Sequence, residues 1–362
     1  MKTFIGNGKG SVKAAVDEAT GSLTGPSAIV FITSYDALAE TAATLAAKYP
    51  GAVSVGTSGY GLANGTVGES MLVVLGLFDD VRVSCGVIKG ISQCPVTFAG
   101  EVEKQLAAVA PGNSDTACLE FCTGSEEKLI TTFHACLEKN KIQLAGATAL
   151  GAPEGQPPLV AYNGNVYADA CVYAFIRNMT GKVKVYKENI WQKGSTASHF
   201  VTKVNTEKKS IVELDGKPAA SVYGQELGIP RDKIVENVFQ NPIGRVVGNE
   251  VYISSMKELG DNGEIVNYKR FNKNDCVYFL ELGDYREIEE STRDQIRSEM
   301  KGISLVFSID CLHRYLLYQK HNYFSTYAKG MASLGQSCGL VCGGEQFNNQ
   351  HVNQTMVCAV FE

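Results

Sequence analysis

Arg314 and Glu345 are the charged residues of this 362-residue chain best suited to reading a small zwitterion. A guanidinium grips a carboxylate through two parallel hydrogen bonds, which a lysine ammonium cannot copy. Glu345 would meet an ammonium group. The alternative is structural: each pairs with the other, or with other charges. Gly343 and Gly344 precede Glu345, and His351 and Asn353 follow it two residues apart, so that on a strand both face one side. Two more glycine turns, Gly56-Thr57-Ser58 and Gly146-Ala147-Thr148, each end an apolar run. Backbone N–H groups and hydroxyls at such turns bind anions. Tight turns also use glycine for backbone freedom alone.

Cys311 is the candidate for covalent chemistry, with Asp310 and His313 beside it. Sequence adjacency does not assemble a catalytic triad, and residues 311 and 313 of a helix point in different directions. Cys118 and Cys122, like Cys338 and Cys342, have three residues between them and lack the spacing of zinc knuckles. Gly6-Asn7-Gly8-Lys9-Gly10-Ser11 lacks the spacing of a phosphate loop. The expected ligand site therefore comprises Arg314, Glu345, Gly343, Gly344, Asn353, His351, Thr57, Ser58, Gly146, Thr148 and Cys311, with no metal and no cofactor.

A pattern that occurs three times must position these residues. An apolar run leads to a helix-period segment, a second apolar run ending in small residues, a loop and a third apolar run. The first copy opens at Ala28-Ile29-Val30-Phe31-Ile32, the second at Ala117-Cys118-Leu119-Glu120-Phe121, the third at Ile303-Ser304-Leu305-Val306-Phe307. Ser125 is placed to cap the helix of the second copy, and one long helix is expected from about Leu312 to Leu334 in the third. Asp284 and Glu287 form a capping-box pattern ahead of it. The region from about 180 to 280 has short apolar runs and many turn signals. The fold class predicted is α/β (α+β): strand–helix–strand–strand units in two related mixed-sheet domains with helices packed on the sheets. The division predicted is 1–178, with two repeats, and 179–362, with a β-rich connector at 179–280 and the third repeat.

Composition narrows the function. The hydrophobic fraction is 44%, the charged fraction 20% and the formal net charge -5, the profile of an ordered, mildly acidic globular chain. Such a balance does not advertise nucleic-acid binding. The lysine-rich stretch 177–209 reads as a solvated connector face. No run approaches the roughly 20 apolar residues of a spanning helix, and the N-terminus lacks a signal-peptide core. The 11 scattered cysteines read as reduced thiols. A cytoplasmic protein is expected, without membrane insertion.

In their order these motifs resemble the FIST family, N-terminal and C-terminal domains in tandem, over essentially the whole chain. The N-terminal resemblance rests on Gly10-Ser11, the turn Val55-Gly56-Thr57-Ser58-Gly59-Tyr60-Gly61, the turn Ala145-Gly146-Ala147-Thr148 and Asn163-Gly164-Asn165. The C-terminal one rests on Leu214-Asp215-Gly216-Lys217-Pro218-Ala219, Cys311-Leu312-His313-Arg314, Gly343-Gly344-Glu345 and His351-Val352-Asn353-Gln354-Thr355. Ala145 stands where the family pattern has a second glycine, and its methyl narrows backbone access. The resemblance implies an intracellular sensory module for small ligands such as amino acids. Many relatives carry receptor or output fusions; this chain shows neither, so its output is expected through a separate signalling partner, a conformational change or homo-oligomer formation. The expected function is non-enzymatic sensing of a small polar ligand. The alternatives are a hydrolase or transferase using Cys311, and an interaction scaffold without small ligand.

Overall fold

Parallel neighbouring strands need a long crossover, most often an α-helix. The computed structural model, which describes residues 1–112, 114–248 and 250–362, contains one such crossover in each sequence repeat. The first repeat is β1 (Thr3–Gly8), α1 (Val12–Ala19), β2 (Ala28–Thr33), α2 (Leu38–Lys48), β3 (Val53–Ser58), β4 (Tyr60–Ala63), β5 (Thr66–Gly68) and β6 (Leu72–Leu77). The second is β7 (Val81–Lys89), α3 (Ala99–Ala108), β8 (Thr116–Cys122), α4 (Glu126–Leu137), β9 (Gln143–Thr148), β10 (Val160–Tyr162), β11 (Asn165–Tyr167) and β12 (Ala170–Asn178). β13 (Val183–Asn189) opens the third.

An intervening segment follows: β14 (Trp191–Gln192), β15 (Ser198–Asn205), β16 (Ser210–Leu214), β17 (Lys217–Pro218), α5 (Ala219–Leu227), β18 (Ile243–Val247), β19 (Glu250–Ser254), β20 (Met256–Leu259), β21 (Ile265–Asn267), β22 (Cys276–Phe279) and β23 (Glu281–Leu282). The third repeat then resumes with α6 (Tyr285–Glu299), β24 (Leu305–Cys311), α7 (Leu312–Lys320), α8 (Phe324–Ala332), β25 (Ser337–Cys342), β26 (Glu345–Phe347), β27 (Gln350–Val352) and β28 (Thr355–Phe361).

Each repeat builds most of one sheet. β2 and β3, β8 and β9, and β24 and β25 run parallel; β6, β12 and β28 return antiparallel beside β2, β8 and β24. All residues of β2, β8, β24 and β28 are buried, as their largely apolar runs lead one to expect. The short hairpins do not stay with their own repeat. β4–β5 adds to β25, β10–β11 adds to β3, and β26–β27 adds to β9. The exchange closes on itself: first to third, second to first, third to second.

An asparagine fastens each hairpin tip. Asn64, Asn163 and Asn348 adopt φ of 45°, 45° and 54°, the left-handed region that asparagine tolerates better than most residues. The backbone N–H of each donates to Ser337, Ser54 and Leu144 carbonyls at 2.8, 2.9 and 2.9 Å. The N–H of the same three residues donates back to the asparagine Oδ1 at 3.3, 2.8 and 3.1 Å.

Helices cover the sheets with apolar faces. Val16 and Ala19 of α1 and Leu38, Ala42 and Leu45 of α2 pack with Ile29, Phe31 and Leu72. Leu129, Phe133 and Leu137 of α4 pack with Cys118, Cys122, Leu144, Cys171 and Tyr173. The α/β class and the mixed sheets agree with the sequence reading. Two local expectations need correction. The helix foreseen from Leu312 to Leu334 is two helices, broken where Asn322 takes φ 53°. Ser125 sits at the N-cap of α4 with φ 53°, and its side chain makes no capping bond. Asp284, in contrast, accepts from Arg286 and Glu287 N–H at 3.0 and 3.3 Å, as a cap should.

The chain forms two compact units. One comprises residues 1–188, 291–351 and 356–362; the other comprises 189–290 and 352–355. The units cut across the 178/179 division read from sequence, because all three repeats share the first. In the second unit β15, β16, β18 and β22 are neighbours in one sheet over a core of Val201, Ile211, Tyr223, Ile243 and Phe279. There His199 has Nδ1 2.6 Å from Asp215 and Nε2 2.6 Å from Glu226. It ties β15 to the turn after β16 and to α5.

Candidate functional site

A carboxylate inside an all-buried strand is the feature that departs most from apolar patterning. Glu120 is such a residue, in the middle of β8. The parallel register sets it beside Gly146 of β9, and β26 places Gln346 on the other side of Gly146. Side chains alternate along strands, so the Glu120 side shares its face with Cys118 and Cys122, beneath α4. Gly146 is required there. A Cβ on it would lie 2.1 Å from Glu120 Oε1 and 2.8 Å from Gln346 Oε1.

Polar contacts lead from this buried point toward solvent. Gln346 Nε2 donates to Thr148 Oγ1 at 3.0 Å, and Thr148 Oγ1 donates to Glu126 Oε1 at 3.1 Å. Glu126 and Glu127 begin α4, where the helix dipole favours negative charge. One ligand atom each from Glu126, Glu127 and His351 of β27 lie within 4.8 Å of one another. Glu127 and Thr148 are half-buried, which opens the cluster to solvent. Cys171 Sγ donates to Glu120 Oε2 at 3.3 Å. Burial lifts the Glu120 carboxyl to about 8, and the charge of Glu126 adds to the lift. One imidazole and two carboxylates at an open edge can receive a positively charged nitrogen or a divalent cation.

The glycine turns meet, and knit the repeats together. Leu150 N–H donates to Ser58 O at 2.9 Å; Gly343 N–H donates to Thr148 O at 2.9 Å and Thr148 N–H to Gly344 O at 2.8 Å. Gly59 N–H donates to Thr33 O at 2.9 Å. These four amides, which could otherwise face an anion, are used within the protein. Thr57 and Ser58 are fully buried, and Ser58 Oγ has no hydrogen-bond partner among the described residues. Ala145 is buried in β9 opposite Phe347, one residue out of step with Gly146, so its methyl does not face Glu120.

Arg314 stands in the first turn of α7 and is buried. Its Nη2 bonds Glu188 Oε1, and its Nε lies 3.7 Å from Asp310 Oδ1. The guanidinium carbon lies 5.0 and 4.9 Å from the ring centroids of Tyr318 and Tyr327. Asp310 also accepts from Tyr327 OH at 2.7 Å and Ser308 Oγ at 2.9 Å. Burial lifts it to about 6, against the pull of Arg314. A cavity of about 20 Å³ touches Asp310 and Tyr327, room for a water and not for an amino acid. Glu345 is fully buried in β26, with Oε1 3.8 Å from Cys342 Sγ. Asn353 belongs to the second unit, where its Oδ1 accepts from Ser255 N–H at 3.2 Å, whereas His351 belongs to the first. Cys311 is 2% exposed at the end of β24. Burial lowers the neighbouring His313 to about 4.

The structure thus joins Gly146, Thr148, Gly343, Gly344 and His351 of the expected residues with Glu120, Glu126, Glu127 and Gln346, which motif spacing did not single out. A FIST N domain model matches residues 27–217, and a FIST C domain model matches residues 219–348. The chain belongs to the FIST family. FIST domains are sensory, small-ligand-binding modules of signal transduction. The FIST C match contains β24 and β25, although these pack in one compact unit with the FIST N repeats. No curated protein matches the chain. Among the described residues no helix is long and apolar enough to cross a membrane.

Proposed function

We propose that this FIST protein senses a small polar molecule through a positively charged nitrogen, amino acids being the first class to try, at the edge formed by Glu126, Glu127 and His351. The observation that carries the reading is the hydrogen-bonded line from Gln346 through Thr148 to Glu126, which fixes one carboxylate of that edge. Coulomb attraction at a carboxylate pair of which Glu126 is buried and Glu127 half-buried is stronger than in bulk water. Because Glu126 and Glu127 begin α4, a ligand that binds them better in one position of α4 than in another shifts the population of that helix. A partner protein reading the outer surface of α4 is the output this suggests. Sensing is preferred over catalysis because the buried Cys311 offers a substrate no access.

The test is a thermal-shift panel of amino acids, primary amines and matched neutral amides, with Zn²⁺ and Mn²⁺ included. A ligand at about 100 times its dissociation constant adds about 2.7 kcal/mol of stability. The expected result is a shift with amine-bearing compounds that Glu126→Gln with Glu127→Gln abolishes. A panel without any shift defeats the reading, and a shift with metal alone replaces the amine by a divalent cation.

A further inference from the structure

Two buried oxygens face one glycine, and among the described residues neither has a hydrogen-bond partner. They are Glu120 Oε1 and Gln346 Oε1, both pressed toward the place a Cβ of Gly146 would occupy. Both residues are fully buried, and a buried acceptor left without a donor is costly. The bonds beyond them have a direction. Gln346 donates to Thr148, and Thr148 donates to Glu126. The first link is missing, and a proton on Glu120 Oε1 supplies it by donating to Gln346 Oε1.

The surroundings of Glu120 favour that proton. On β8 it is flanked by the thiols of Cys118 and Cys122, from β12 come the Cys171 thiol and, opposite in register, Tyr173, and from α4 comes the Glu126 carboxylate. Cys171 already donates to Oε2, the other oxygen. None of these groups is a cation that would hold Glu120 ionised.

We propose that Glu120 is a proton-operated positioning residue that decides whether Thr148 holds Glu126. With the proton on, the line runs Glu120 to Gln346 to Thr148 to Glu126. When a base in solvent takes the proton, the Gln346 amide turns over so that its N–H faces the new carboxylate. Its oxygen then accepts from Thr148, and the Thr148–Glu126 hydrogen bond is given up. Burial, with the Glu126 charge behind it, puts the changeover near pH 8. The consequence for ligand affinity rests on the amine-binding reading above; the switch itself does not.

Infrared titration of the full chain without ligand, from about pH 6 to about pH 10, tests it. A protonated-carboxyl stretch should be present at neutral pH, vanish in Glu120→Gln, and titrate near pH 8. Thr148→Val is the decisive variant. With no hydroxyl to receive it, the Gln346 N–H turns toward Glu120, and the midpoint should fall by about one pH unit, a roughly tenfold change in proton affinity. A carboxyl governed by burial alone would keep its midpoint, because Thr148 carries no charge. Absence of the neutral-pH band, or an unmoved midpoint in Thr148→Val, overturns the proposal. Should Glu120→Gln fail to fold, a carbon-13 glutamate NMR titration of the parent and of Thr148→Val reads the same midpoint. A failed ligand panel leaves this outcome unaffected, so the two readings fall separately.

Discussion

Arg314 is a buried cation that meets two buried carboxylates. Glu188 and Asp310 both reach its guanidinium, and two tyrosine rings flank it. Removing one partner of a buried pair leaves an uncompensated charge, which costs about 3–5 kcal/mol. Arg314→Leu should lose that much in urea denaturation at neutral pH, and Arg314→Lys less, since it keeps charge but not the fork. The deficit should shrink in acid. The Asp310 pKa is raised from 3.8 to about 6, so its contribution to stability is fully present below 3.8 and is lost as pH rises through about 6. Without Arg314 the rise is steeper, so a deficit equal at pH 5 and pH 8 would contradict this account. The sequence marks Arg314 as worth explaining, but Glu188 lies 126 residues away, beyond any spacing rule. Glu120 is visible as a lone acid in an apolar run. What it faces depends on Gln346, which reaches it through a hairpin from another repeat.

The asparagine-tipped hairpins give the same logic at the level of elements. Asn163 combines a left-handed backbone with a side-chain acceptor for Ser54 N–H. Asn163→Gly keeps the first and loses the second, and Asn163→Ala loses both. A lost hydrogen bond to a part-buried donor costs about 1 kcal/mol, and left-handed strain about 1 kcal/mol more. The predicted order of stability is therefore parent, glycine, alanine, read from denaturation midpoints; alanine equal to glycine would remove the conformational part. Long apolar strands and their helices are legible because their periodicity is strong. The hairpin strands beside Asn163 have three residues each, too few to show a period, and their partners are set by tertiary placement. The break between α7 and α8 escapes for a related reason: the apolar face continues through it, with Leu317, Phe324, Tyr327 and Met331 all buried.

For the whole molecule, the family match and the compact units divide the chain differently. The FIST N and FIST C matches meet near residue 218, while the first unit gathers segments from both. Repetition was readable from sequence. The joining of three repeats in one unit was not, because the 189–290 segment stands between β13 and β24 and looks from sequence like the start of a new domain.

The closed exchange of hairpins has a consequence for synthesis on the ribosome. The edge that β4–β5 needs is β25, near the end of the chain. Chains emerge N-terminus first, at about 5–20 residues per second. Residues 60–68 must therefore wait, unpaired at one edge, until residue 342 has been made. Ribosome-bound nascent chains halted short of β25 should be cut by protease within 60–68, and those carried past β28 should resist. Resistance in a chain that stops after β6 would show that the first repeat settles alone.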